Sequence, residues 1–319
     1  MSSFAFVILL LIECPAFHPV SVVSPLNVSQ FTRDLAGHPD RRAVTYVLEG
    51  LQHGFRLGFQ PIRRLKPAKN KPSAFQNPKV IDDYLAIEVA RGRVAGPFPS
   101  PPLPNLQVSS FGVIPKKGQP GKWCLIVDLS SPHGSSVNDG IDADEFSMHY
   151  IHLDQIINMI VKHGPGALMA KFDVEAAYRN IAVHPYDRHL LGMKWCGQFF
   201  VDLALPFGLR SAPYIFTAVA DMVECIIWNN YRVADLMHYL DDFITAGPAD
   251  SLHCAQNLQT SLAMCRSLGL PLHPNKCIGP STRLVVLGIE LDSLDQTTHL
   301  PAEKLMALQE LIHSWQNRR

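Results

Sequence analysis

Short apolar blocks of two different periods follow one another along this chain. Val44, Val47, Leu48 and Leu51 recur at helical spacing and predict a helix over residues 42–55. Asn77-Pro78 opens a second helix, with Asn77 as cap, Pro78 in the first turn, Ile81, Leu85 and Val89 as the buried stripe and Gly92 as the stop. The proline-rich run 96–104 has to be extended. Residues 111–115 and 125–129 read as strands joined by a lysine-rich turn, 116–122. Leu153, Ile156, Ile157 and Ile160 mark an amphipathic helix closed by residues 162–165. Residues 167–174 read as a buried strand with one acid, Asp173, at its end, and 176–178 as a turn into a short helix. A hairpin is expected over 190–195 and 199–203. A glycine turn at 205–213 then leads into a helix capped by Ser211, with Ile215, Phe216, Val219, Met222, Val223 and Ile226 buried. Residues 251–267 predict a helix, 274–277 a turn, and 284–291 a strand broken at Gly288. A last helix starts at Pro301, with Leu305, Leu308, Ile312 and Trp315 on one face.

Residues 236–244 (Leu-Met-His-Tyr-Leu-Asp-Asp-Phe-Ile) place two carboxylates, Asp241 and Asp242, between two apolar runs too short for helices. The pair therefore sits at the tip of a tight hairpin. Adjacent like charges repel, and a divalent cation with a preference for hard oxygen ligands, such as Mg²⁺, relieves that repulsion. An ordinary solvated turn is the competing reading of these residues taken alone. Asp173 bears on the matter only if the fold brings it to the pair; a lone Asp at a strand end is otherwise a cap.

Composition narrows the class. The chain has 319 residues, 47% hydrophobic and 18% charged, enough for a core of two or three subdomains. A formal net charge of +0 excludes a uniformly basic surface but leaves room for a local basic groove. Such a stretch exists: Arg56, Arg63, Arg64, Lys66, Lys69 and Lys71 follow one another with no acid between them and with Phe55 and Phe59 interleaved. A solvated linker fits it equally. Seven cysteines without metal-ligand spacing read as reduced thiols of an intracellular protein. No apolar run reaches transmembrane length. The run Phe4 to Ile12 has the size of a signal-peptide core but lacks a positive flank and a clear cleavage site.

Taken in order, the pieces resemble reverse transcriptase fingers and palm. Asp173 with Tyr178 resembles the first palm motif, residues 205–213 the second, and Tyr239-Leu240-Asp241-Asp242 the third, the YxDD box. Lys276 suits the lysine of the fourth, and Leu287-Gly288 the primer-grip hairpin. Residues 96–104, 130–141 and 170–178, with 36–40 and 53–59 upstream, resemble DIRS-type retrotransposons.

The resemblance implies an α+β fold with an antiparallel palm sheet backed by helices. It divides the chain into a leader (1–26), an N-terminal extension (27–75), fingers (76–166 and 184–204), palm (167–183 and 205–299) and the start of a truncated thumb (300–319). It implies an RNA-directed DNA polymerase using two Mg²⁺ ions (or Mn²⁺), dNTP and an RNA or DNA template with primer, with no membrane, in cytoplasm or nucleus. Asp173, Asp241 and Asp242 become catalytic, with Val174 adding a carbonyl to the metal set. Lys116, Lys117, Tyr178, Phe207, Gly208 and Lys276 fall to the nucleotide, with Tyr178 excluding a 2′-hydroxyl and Lys276 as general acid. Tyr239, Leu287, Gly288, Arg63 and Arg64 fall to template and primer. Two departures matter. Lys122-Trp123-Cys124 has cysteine where the family carries arginine, and cysteine can neither stack on a base nor pair with phosphate. Little thumb follows residue 300. These departures support an alternative, a catalytically impaired nucleic-acid-binding remnant. A secreted interaction protein using residues 4–12 is the third reading.

Overall fold

The computed structural model of this chain describes residues 24–62, 65–116, 119 and 121–316. The apolar run at 4–12, Arg63, Arg64 and Lys117 lie outside the described residues.

The first described elements are helices: α1 (Val28–Asp34), α2 (Arg41–His53), α3 (Pro72–Gln76) and α4 (Pro78–Ala90). Asp40 caps α2 by accepting from the N–H groups of Arg42 and Ala43, and Val44, Val47 and Leu51 are buried as expected. Asn77 precedes α4 but its side chain makes no cap; its amide donates to the Ser73 carbonyl instead. The stripe of α4 also differs from expectation. Glu88, not Val89, completes the buried face with Ile81 and Leu85, and Val89 is only partly buried.

Strands β1 (Val94–Phe98), β2 (Val108–Pro115), β3 (Trp123–Asp128), β5 (Gly192–Trp195) and β6 (Gln198–Asp202) form one sheet in the order β1-β6-β5-β2-β3. Both expected hairpins, β2–β3 and β5–β6, are present, and β2 joins β5 in parallel. Helix α4 packs on this sheet around Phe111, Met193 and Phe200.

The second sheet is antiparallel throughout. It runs β7-β8-β4-β9, from β4 (Leu168–Asp173), β7 (Leu236–Tyr239), β8 (Asp242–Gly247) and β9 (Ile278–Ser281). Helices α6 (Ala212–Tyr231) and α7 (His253–Ser267) back it, and their apolar faces join Phe172 and Phe243 in the main core. Helix α5 (Leu153–Val161) packs with Met169 and Ile244 in a smaller cluster. Ser211 stands at the start of α6 but is itself helical in φ and ψ, and its hydroxyl is buried without a hydrogen-bond partner, so it does not cap the helix.

The run 284–291, expected as a strand broken at Gly288, forms two antiparallel strands. A two-residue turn, Leu287 (φ +49°) and Gly288 (φ +80°), separates β10 (Arg283–Val286) from β11 (Ile289–Asp292), with β12 (Thr297–His299) beyond. Positive φ at both turn positions matches the right-handed twist of a tight hairpin. The last helix, α8 (Ala302–Gln316), buries none of its residues against the rest of the described chain, so its expected apolar face stays open.

Candidate active site

Strand register builds the site. Asp173 ends β4, Asp242 opens β8, and the two are direct cross-strand partners. Tyr239 faces Asp242 from β7. Side chains alternate faces along a strand, so Tyr239, Asp242 and Asp173 form one row. The next row, His238, Phe243 and Phe172, points to the opposite, buried face. Its Phe172 and Phe243 rings stack at 5.0 Å and 6°, and His238 lies 5.3 Å from Phe243. A slip of one residue would drive these rings into solvent, so core packing fixes the register that sets the carboxylates side by side. Asp241 occupies the turn with Leu240, whose φ of +53° closes it in two residues. The Asp241 carbonyl accepts from the Val174 N–H at 3.0 Å, tying the turn to the end of β4.

The electrostatics agree with a cation-seeking surface. Burial, then the neighbouring carboxylates, pushes the Asp241 carboxyl above the usual range. Burial pushes Asp242 the same way, reinforced by Asp173 and opposed by Lys171 and Lys276. Asp173 is buried, and the Lys276 ammonium lies 2.7 Å from its Oδ2. The 274–277 turn holds Lys276 there, because the N–H of His273 donates to the Asp173 carbonyl at 2.9 Å. The bond to Asp173 raises the Lys276 pKa. Among the described residues no three His, Cys, Asp or Glu side chains close into a metal cage. The carboxylates stand together through their backbones, with Asp173 drawn to Lys276. An open set of hard oxygens suits Mg²⁺, which keeps several waters and takes only one or two carboxylates.

Next to this row stands an aromatic wall. Ala176 (φ +51°) ends the strand direction and starts a 3₁₀ turn, Ala177–Asn180, which carries Tyr178. The Tyr178 ring lies 5.1 Å from Phe207 and 5.8 Å from Phe216. Burial, helped by Asp241, pushes its hydroxyl up to about 12, so the phenol is neutral and electrically close to the carboxylates. Phe207 is 61% exposed, and Gly208 (φ +87°) turns the chain beside it.

Asn138, which sequence reasoning passed over as part of a longer resemblance, shapes that turn. Its buried amide donates to the Gly208 carbonyl at 2.8 Å and to Ser130 Oγ at 2.9 Å, and its oxygen accepts from the Arg210 N–H at 2.9 Å. The signal available in sequence was only a polar residue between Val137 and Ile141, both buried.

Apart from Tyr239, which shares the carboxylate row, the other expected residues are dispersed. Tyr239 packs 5.0 Å from Tyr150. Leu287 and Gly288 form the tip of the β10–β11 hairpin, and β10 is joined to β4 by Lys171 Nζ donating to the Val285 carbonyl at 2.7 Å. Lys116 is exposed at the tip of β2–β3, on the five-stranded sheet. Two cations of the basic stretch are engaged within the chain, Arg56 with Asp187 at 2.9 Å and Lys71 with Asp128 at 2.6 Å.

Comparison with known proteins places these observations. A family model described as "Reverse transcriptase (RNA-dependent DNA polymerase)" matches residues 114–291, more than half of the 319 residues. Polyprotein P3 of Commelina yellow mottle virus is 27% identical over 161 residues, 49% of this chain and 8% of the polyprotein. The genome polyprotein of Petunia vein clearing virus is 23% identical over 124 residues, 39% of this chain and 5% of the polyprotein. The chain thus spans a small part of the length of these relatives. Among solved structures, the foamy viral protease-reverse transcriptase in complex with dsDNA aligns with a TM-score of 0.60 at 17% identity, covering 89% of this chain and 58% of that one. The native prototype foamy virus protein aligns with a TM-score of 0.53 at 20% identity, covering 76% of this chain and 28% of that one. The α+β arrangement, with its antiparallel sheet backed by helices, is the fingers-and-palm fold of those structures.

Proposed function

The chain belongs to the reverse transcriptase (RNA-dependent DNA polymerase) family, and on that premise we propose that it extends a primer 3′-hydroxyl with dNTP on an RNA or DNA template. The observation that carries this reading is the cross-strand pairing of Asp173 with Asp242, with Asp241 beside them in the turn. Asp173, Asp241 and Asp242, with the Val174 carbonyl, would hold two Mg²⁺ (or Mn²⁺) ions, which when bound neutralise charge at the triphosphate and activate the primer hydroxyl. Tyr178 sets the sugar-facing wall and leaves no room for a 2′-hydroxyl, with Phe207 and Gly208 beside it. Lys276 neutralises Asp173 and stands ready to donate a proton to departing pyrophosphate. Lys116 and Lys117 meet the triphosphate from the fingers tip, and Tyr239, Leu287, Gly288, Arg63 and Arg64 meet template and primer. The motif-level resemblance over residues 130–141 and 170–178 supports a DIRS-type retrotransposon as the source.

A second reading, an impaired remnant that still binds nucleic acid, rests on one observation. Cys124 is exposed on β3, where a cation would be presented to the nucleotide. Primer extension separates the two. An oligo(dT)-primed RNA template, dTTP and Mg²⁺ should give extension with the parent protein. Binding of the template without extension, restored by Cys124→Arg, would instead establish the remnant.

A further inference from the structure

Where the 3₁₀ turn after β4 meets α4 and β6, a guanidinium is buried almost completely. Arg179 is 4% exposed and directly follows Tyr178 in the 3₁₀ turn. Its Nε donates to Glu88 Oε2 on α4 at 2.8 Å. Its Nη2 lies 2.7 Å from the same carboxylate and 2.6 Å from Asp202 Oδ1 on β6. Its Nη1 donates to the carbonyls of Ala204 (3.2 Å) and Leu205 (3.4 Å), the residues that lead into the Phe207-Gly208 turn. Glu88 and Asp202 are themselves buried. Arg93 adds a second cation, 3.7 Å from Glu88, and also donates to Asn180 Oδ1 at the end of the same 3₁₀ turn.

Taking these charges out of water is unfavourable, and apolar side chains of equal volume would fill the space without that penalty. What an apolar filling lacks is direction. A planar guanidinium fixes its partners at set angles and distances. Here the partners are one fingers helix, one fingers strand and the chain two residues before Phe207, while Arg179 itself is one residue from Tyr178. Arg179 is thus a side-chain link between the residue after Tyr178 and the residues before Phe207, acting beside the Leu205 N–H bond to the Ile181 carbonyl and the Asn138 contacts at Gly208.

We propose that Arg179 is the positioning residue for nucleotide-sugar selection, holding Tyr178 against the Phe207 turn through its fork on Glu88, Asp202 and the 204–205 carbonyls. This inference rests on the polymerase reading above and adds to it a residue that touches no substrate. Arg179→Lys keeps the charge but cannot reach all of these acceptors.

The test is the ratio of kcat/KM for dTTP to that for UTP on one primed RNA template, with melting temperature and primer–template Kd measured alongside. Arg179→Lys should lower the ratio about tenfold while leaving the template Kd unchanged, as expected of an ångström-scale displacement. Asp187→Asn serves as a comparison: Asp187 is equally buried, and accepts from Arg56 and from the Leu57 N–H, away from Tyr178. It should lower the melting temperature and leave the ratio unchanged. Glu88→Gln, which keeps an acceptor but removes the charge, is read in the same way should Arg179→Lys fail to fold, and should also lower the ratio. An unchanged ratio in a folded, less stable Arg179→Lys or Glu88→Gln protein would overturn the proposal while the polymerase reading stands. No extension of either nucleotide by the parent would overturn that reading and this one with it.

Discussion

The ammonium of Lys276 lies 2.7 Å from Oδ2 of Asp173, so one cation of the chain is committed to one of the three carboxylates that would hold metal. Lys276 is half exposed while Asp173 is buried, so the lysine can leave and the carboxylate cannot. A divalent ion arriving at Asp173 competes with this ammonium.

Removing the competitor should tighten metal binding. Lys276→Met should raise the affinity for Mn²⁺ a few-fold, about 1 kcal/mol or less given the exposure of the lysine. Titration followed by Mn²⁺ electron paramagnetic resonance measures this. The same variant should extend primers more slowly, since the proposed proton donor is gone. Unchanged Mn²⁺ affinity would mean that Asp173 lies outside the metal set.

The raised carboxyl pKa values at Asp241 and Asp242 give a signed pH effect. A carboxyl whose folded pKa lies above its unfolded value opposes folding once it ionises. That penalty is absent below the unfolded value and fully present above the raised one. Asp241→Asn should therefore stabilise the metal-free protein at neutral pH, by roughly 1 kcal/mol or a melting shift of about 1–3 °C, with the gain vanishing in acid. Adding Mg²⁺ should stabilise the parent and leave the variant unmoved. Differential scanning calorimetry at two pH values, with and without Mg²⁺, reads all of these shifts.

Asn138, nearly fully buried, holds the Gly208 turn through two hydrogen bonds, to the Gly208 carbonyl and from the Arg210 N–H, and makes a third to Ser130 Oγ. Asn138→Ala leaves the Gly208 carbonyl and the Arg210 N–H without this partner and should destabilise by about 2–3 kcal/mol in urea unfolding. If the turn contacts nucleotide, KM for dNTP should rise more than kcat falls. A loss of stability with no change in KM would leave Asn138 a purely structural residue.

Much of the site was legible because it is local. The two short apolar runs flanking Asp241 and Asp242 predict the hairpin, whereas Asp173, on pattern alone an ordinary strand-end acid, joins them in sequence only through the family resemblance. The structure adds the register that joins them. Long-range polar contacts were not legible. Glu88 falls on the same helical stripe as Ile81 and Leu85, which was a signal of a buried partner, but nothing near it in sequence names Arg179, 91 residues away. Ser211 and Asn77 stand where caps usually stand, and neither side chain caps. The break at Gly288 shows in the pattern, but the chain reversal there does not, because a two-residue turn between short apolar strands leaves the apolar run nearly continuous.

The central claim is that Asp173, Asp241 and Asp242 form one metal-dependent nucleotidyl-transfer site. The most direct measurement is the initial rate of dTTP incorporation onto an oligo(dT)-primed RNA template as Mg²⁺ is raised, for the parent and for Asp241→Asn. The account predicts a rate that saturates with Mg²⁺ in the parent and falls by about a thousandfold or more in the variant, with primer–template Kd unchanged. Equal rates in the two proteins, or no Mg²⁺-dependent incorporation by the parent, would contradict it.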